Sequence, residues 1–91
     1  MDASVKLQRS DKVTHQIVAD EAILIHLHTG TYFSLNKIGT EFWEMLDGQH
    51  SIQQHAGTIA NKYSVDAPTV VGDLLELAEK MLADHLVEAV R

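Results

Sequence analysis

The 91-residue chain contains no cysteine and a single proline, and aromatic residues make up only 5% of it. The lack of cysteine excludes a disulfide framework and thiolate metal ligands. The longest unbroken apolar run, Ala22 to Ile25, is far too short for a transmembrane helix. Residues 1–20 also lack the apolar segment of a secretory signal. These absences predict a cytoplasmic domain with no membrane partner.

Basic residues are scarce as well. The chain has 7 Lys and Arg against 13 Asp and Glu, which gives a formal net charge of −6 with histidine neutral. A nucleic-acid backbone attracts a basic surface, so we expect no nucleic-acid partner. Hydrophobic residues make up 45% of the chain, which is enough for the core of one small domain.

The first part of the chain, up to about Asn36, alternates in the way typical of β-strands. Asp20-Glu21 and Thr29-Gly30 are the predicted turns. In the second of them, Gly30 can supply the positive φ of a tight hairpin. Residues 1–12 are interpreted as an N-terminal arm or as a short strand around Val5–Leu7. Three segments rich in branched and aromatic residues are predicted strands: 13–19, 22–28 and 31–35.

In the second part of the chain, apolar residues recur at helical spacing. The predicted helices are 37–47, a helix that begins after Ser51, and 67–84, with caps at Asn36, Ser51 and Asp66. Ser51 with Gln54 three residues later is a capping-box pattern. The apolar segment 86–90 is expected to close over the core. Three antiparallel strands followed by three helices predict an α+β domain with the outline of a winged helix-turn-helix.

The third helix has an unusually wide apolar surface. On a helical projection this surface covers about 160°, against about 100° for an ordinary surface helix. One side consists of Val70, Leu74, Leu77 and Met81, and the other of Val71, Leu75, Ala78 and Leu82. Either the helix is wedged inside its own fold, or one of the two sides lines a groove for a partner segment.

The polar residues of this helix are mostly acidic, since residues 66–84 contain five acids and one base, Lys80. DNA phosphates would be repelled here, which favours a protein or peptide ligand. The predicted strand 31–35 favours the same ligand, because an edge strand offers unpaired N–H and C=O groups to an incoming extended segment. The alternative is that the chain's own N-terminal arm covers this edge.

The segment from Ile23 to Asn36 resembles the strand–turn–strand signature of the PqqD family. Further matching positions follow in order: Gly39, Phe42-Trp43, Leu46-Asp47-Gly48, Asp73-Leu74, Leu77, Met81 and Leu86-Val87. The resemblance covers about residues 13–87. One position departs from it, because His85 stands where the family usually has glycine at the exit of the last helix.

The resemblance implies a non-enzymatic recognition element for ribosomally made, modified peptides, with residues 13–91 as the PqqD-like domain. Such domains bind the leader of a precursor peptide and present it to a modifying enzyme or leader peptidase. The leader is held as an extra antiparallel strand on the third strand, packed against the third helix. The hairpin with Tyr32 and Phe33 is similar to stand-alone leader-binding proteins of lasso-peptide biosynthesis. The implied peptide-binding residues are Thr31, Tyr32, Phe33, Ser34, Val70, Asp73, Leu74, Leu77 and Met81.

Other interpretations stay open at this point. One is an acidic winged-helix domain that mediates protein–protein contacts in transcription. Another is a metal site at His26 and His28, which share a strand face but lack the third and fourth ligands of a closed site. We therefore assign no metal and no cofactor. Pairing of two copies through the strand edge into a homodimer is also open.

Overall fold

The computed structural model describes residues 1–90 of the chain. Its elements are β1 (Lys6–Arg9), β2 (Val13–Val18), β3 (Glu21–His26), β4 (Tyr32–Leu35), α1 (Lys37–Met45), α2 (Ile52–Tyr63), α3 (Ala67–Ala83) and β5 (Val87–Val90). Strands β2, β3 and β4 form an antiparallel sheet in that order, and three helices follow. The α+β class and the winged-helix-like outline are confirmed.

The turn between β2 and β3 lies one residue earlier than predicted. Ala19 and Asp20 form it, both with positive φ (53° and 67°), and Glu21 is already paired with Val18 in the sheet. Two positive φ values in a two-residue hairpin loop match the right-handed twist of the strands. The sequence pattern did not reveal this, because alanine rarely adopts such a conformation.

The connection between β3 and β4 is longer than predicted, because β3 ends at His26 instead of 28 and β4 begins at Tyr32 instead of 31. The Nδ1 atom of His26 accepts hydrogen bonds from the N–H groups of His28 and Thr29 (3.2 and 3.3 Å), which bends the chain out of the strand. Gly30 has a φ of 72°, as its place in the turn required.

The two ends of the described chain form a second, two-stranded sheet. Strand β1 pairs antiparallel with β5, so the predicted N-terminal arm contains a strand and the apolar segment 86–90 is its partner. Leu7 of β1 is 1% exposed, and its carbonyl accepts a hydrogen bond from the N–H of Gly48 (3.0 Å). The N-terminal residues therefore belong to the same core as the rest of the domain.

All three predicted helix caps are present. Asn36 accepts from the N–H of Gly39 (2.8 Å), Asp66 accepts from Thr69 (3.1 Å), and Ser51 forms the expected capping box. Helix α1 ends at Met45 rather than at 47, because the backbone becomes extended at the next residue, Leu46, whose side chain is buried in the core.

The core lies between the three-stranded sheet and the helices. Its largest fully buried side chains come from every layer: Leu7, Leu24, Phe42, Trp43, Ile52, Ile59, Leu74, Met81 and Leu86. At the exit of α3, His85 adopts a φ of 59°, which is the left-handed conformation that glycine favours at the end of a helix. Within residues 1–90, no helix is both long enough and apolar enough to cross a membrane.

Candidate functional site

The outer edge of β4 is open to a further strand. The N–H of His26 donates to the carbonyl of Thr31 (3.0 Å), so these two residues form a hydrogen-bonded pair at the end of the ladder between β3 and β4. Since alternate residues of an antiparallel pair exchange hydrogen bonds, Phe33 bonds to β3. The N–H and C=O groups of Tyr32 and Ser34 therefore point away from the sheet. Strand β1 pairs with β5 instead of covering this edge.

A groove of about 380 Å³ runs beside this edge, between β4, the start of α1 and the middle of α3. Strand alternation directs Phe33 and Leu35 towards it, whereas Tyr32 faces the outer side of the sheet and is 70% exposed. The groove is lined by Phe33, Ser34, Leu35, Asn36, Ile38, Gly39, Asp73, Leu74, Leu77 and Lys80. An added strand on β4 would thus have apolar side chains within reach on one of its faces.

Gly39 lets α1 approach α3 closely at the base of the groove. A Cβ atom at this position would lie 3.3 Å from Leu77 Cδ2 and 3.3 Å from Asn36 Oδ1. Both neighbours would have to shift, and both line the groove. The glycine is thus part of the site because of the space that it leaves.

The predicted side of α3 is divided between core and groove. Leu77 is half-buried and lines the groove together with Asp73 and the buried Leu74. Met81 is 0% exposed and packs in the core, so the structure gives it no surface to offer a ligand. Val70 is 7% exposed and lines a neighbouring cavity.

This neighbouring cavity has a volume of about 370 Å³ and lies between the start of α1, the second half of α2 and the first half of α3. It shares Ile38 and Asp73 with the groove, and Val70 and the exposed Val65 form part of its wall.

Of the predicted strand residues, Tyr32, Phe33 and Ser34 lie in β4, and Thr31 precedes it.

The α1 side of the groove was not predicted from the sequence. Ile38 and Gly39 line it, and so does Asn36, which also caps α1. A glycine in the first turn of a helix, directly after an apolar residue, was the available signal, because such a glycine often marks a close approach of two elements.

Charges of both signs surround the groove on α3. Asp73 and Lys80 line it, and the Lys80 ammonium lies 3.7 Å from a carboxylate oxygen of Glu76 on the exposed surface of the helix. Glu79 is exposed nearby on the same helix. The groove itself is therefore lined by one carboxylate and one ammonium group on α3, and Glu76 and Glu79 add negative charge around it.

The histidines form no metal cluster. His26 is buried, and its Nδ1 atom already accepts two backbone N–H groups, so its pair with His28 is part of the turn. Among residues 1–90, no three His, Asp or Glu side chains lie close enough to hold a metal ion.

A second histidine group joins the α1–α2 connection to α2. His50 Nδ1 lies 2.6 Å from Asp47 Oδ2, and the backbone N–H of Gln49 together with His50 holds the pKa of Asp47 well below its usual range. His55 is 4% exposed, and its Nε2 atom has no hydrogen-bond partner. Burial lowers the pKa of His55 below the ordinary value of 6.5.

Comparisons with known proteins agree with this geometry. The family model of coenzyme PQQ synthesis protein D (PqqD) matches residues 21–87. A solved structure described as TbiB1 in complex with the TbiA(beta) leader peptide is similar to this chain, with 36% sequence identity and a TM-score of 0.80. The match covers 89% of this chain and 94% of that chain. A comparison with curated proteins gives no match. The family model spans most of the chain, including β3, β4 and all three helices, and the chain therefore belongs to the PqqD family.

Proposed function

We propose that this protein is a non-enzymatic module that binds the leader of a ribosomal precursor peptide and presents it to a processing or modifying enzyme. The observation that carries the proposal is the open edge of β4 beside an apolar groove. The similar TbiB1 was solved with a leader peptide bound. Ribosomal precursors are made in the cytoplasm, so we place the module there.

The edge and the groove have different tasks in this proposal. The backbone groups of Tyr32 and Ser34 form the hydrogen-bond ladder, which accepts any extended sequence. Alternate side chains of an added strand point into the groove, where they meet Leu77 and Ile38. Affinity then comes largely from the ladder, while the groove selects leaders with apolar residues at every second position.

The receiving enzyme acts on the part of the precursor that lies outside the groove. Because the leader is held along one edge of a small domain, the rest of the precursor extends freely from it. The similarity of the Tyr32–Phe33 hairpin to lasso-peptide proteins extends the proposal to a leader peptidase as this enzyme. The site favours an extended peptide over the transcription alternative, because it consists of an open strand edge beside a groove. The charged exposed residues of α3 are acidic except for Lys80, which also disfavours contact with DNA.

A binding titration tests the proposal. A fluorescent synthetic leader, taken from the precursor encoded beside this protein, is titrated with the domain, and its anisotropy is recorded. We expect saturable binding at nanomolar to micromolar concentrations and no saturation with a scrambled leader. Equal binding of both peptides, or of neither, contradicts the proposal. A band shift with random duplex DNA at low salt would instead support the transcription alternative.

The charge around the groove predicts a modest salt dependence. Asp73, Glu76 and Glu79 favour a leader with basic residues, and Lys80 reduces this preference. Exposed charges are screened over about 8–10 Å at physiological salt, so added salt is expected to weaken leader binding severalfold at most. The same titration at low and high sodium chloride measures this, and an affinity that does not change removes the electrostatic part of the proposal.

A further inference from the structure

The three-stranded sheet has a second open edge, at β2, which leader binding does not use. Strand β2 pairs only with β3 in the described chain. The N–H of Leu27 donates to the carbonyl of Lys12 (2.8 Å), so these two residues form a hydrogen-bonded pair. In the register of this ladder, the even-numbered residues of β2 therefore bond to β3. The backbone N–H and C=O groups of His15 and Ile17 therefore point outwards, away from β3.

This edge lacks the usual protection against pairing with another chain. Soluble proteins protect edge strands with lysines, prolines or a covering element. The six residues of β2, Val-Thr-His-Gln-Ile-Val, include no Lys, Arg, Asp, Glu or Pro, and all but the first are exposed. Ile17 is 40% exposed and Val18 58%. Because β2 itself carries no carboxylate, two copies of a chain of net charge −6 can approach along this strand without like charges in the strand.

We propose that β2 is the docking site for a second copy of this chain, which pairs antiparallel to it in a twofold-symmetric dimer. Only residues with outward-pointing backbone groups can exchange hydrogen bonds, so odd-numbered residues must pair with odd-numbered ones. The register with His15 opposite Ile17 satisfies this condition and places Gln16 opposite Gln16 on the twofold axis. It also brings Lys12 of one copy beside Asp20 of the other, which adds two pairs of opposite charges at the rims.

The dimer is compatible with leader binding. Joining two three-stranded sheets through β2 gives one continuous sheet with β4 at both ends. Each copy then keeps its open β4 edge and its groove, so one leader binds per chain. Self-association through β2 does not depend on the proposed function, and the two can be tested separately.

Cysteine crosslinking tests the register, because the native chain has no cysteine. Opposed residues of a non-hydrogen-bonded antiparallel pair have Cα atoms about 4.5 Å apart, which suits a disulfide. Gln16→Cys is therefore expected to form a disulfide-linked dimer under mild oxidation. Thr14→Cys lies on the same exposed face but about 13 Å from its symmetry mate in this register, and it should stay monomeric. Equal crosslinking of both variants, or crosslinking of Ser34→Cys on β4 instead, overturns the proposal.

Sedimentation equilibrium tests self-association without crosslinks. We expect the native mass to rise from 10.1 kDa towards twice that value with increasing concentration. Gln16→Lys places two like charges on the twofold axis and should keep the protein monomeric, while leader affinity per chain stays unchanged. A native protein that is monomeric at every concentration overturns the proposal. So does a dimer that Gln16→Lys leaves intact or that added leader dissociates, since the latter would place the contact at β4.

Discussion

At the scale of the residue, exposure decides which apolar side chains can serve the site. Helix α3 carries apolar residues over a wide arc, but Val70, Leu74, Ala78 and Met81 are the buried ones. Leu77 is only half-buried and lines the groove, and Leu75 is half-buried on another side of the helix. Two residues apart on a helix means about 200° of rotation, so these two leucines face nearly opposite ways.

Leu77→Glu is expected to weaken leader binding at least about tenfold, since a bound leader would cover the new carboxylate and remove its hydration. The fold should persist, because in the free protein the carboxylate still reaches water. Leu75→Glu is the matched control, with comparable loss of thermal stability and unchanged leader affinity. Anisotropy titrations and thermal unfolding of both variants measure these effects. Unfolding of Leu77→Glu alone would show that Leu77 is a core residue instead.

At the scale of the element, the start of α1 links stability to the groove. Asn36 caps this helix and also lines the groove, and Gly39 in the first turn leaves room for Leu77. Helix α2 has an equally good cap in Ser51, whose side chain accepts from the N–H of Gln54 (3.1 Å), but Ser51 is not a groove residue. The two caps therefore separate helix stability from peptide binding.

Asn36→Ala and Ser51→Ala should each destabilise the domain by about 1 kcal/mol, since each leaves a first-turn N–H without its partner. Only Asn36→Ala is expected to weaken leader binding, by about fivefold, because the α1 wall of the groove loosens. Urea unfolding gives the first quantity and peptide titration the second. A loss of affinity as large in Ser51→Ala would mean that binding follows global stability and not the local wall.

At the scale of the whole molecule, one buried histidine makes stability depend on pH near neutrality. His55 packs edge-on against Phe42, with ring centroids 6.0 Å apart. The ring centroids of His55 and His50 are 5.9 Å apart. Burial lowers the pKa of His55, the nearby Asp47 opposes this shift and His50 adds to it. The unfolded state therefore binds a proton more readily than the native state.

Stability from His55 is fully present above the unfolded pKa of 6.5 and is lost as the pH falls towards the lower native value. The free energy of unfolding should thus decrease between pH 7.5 and 5.5, with a slope of no more than about 1.4 kcal/mol per pH unit for this one proton. Urea unfolding across this range measures it. His55→Leu should flatten the profile, whereas His28→Gln, at an exposed position, should not. A native profile that is already flat would contradict the assignment.

The sequence by itself determined the local structure of this protein. Periodicity, caps and turn glycines act between residues close in the chain, so the three helices, their caps and the strand hairpins could be predicted within one or two residues. The exit of α3 was less certain from the sequence, because His85 departs from the family pattern there, and the structure shows that it still adopts a left-handed conformation. The acidic rim of α3 and the candidate edge at β4 were also visible in the sequence.

The tertiary structure alone decided which predicted surfaces are free. The pairing of β1 with β5 joins residues about eighty positions apart, and this pairing left the β4 edge uncovered. Packing of α3 against α2 and β5 moved Met81 into the core and left Leu77 at the groove. The α1 wall at Gly39 likewise depends on how closely two helices approach. Such choices follow from the sum of many long-range contacts, which no local pattern in the sequence encodes.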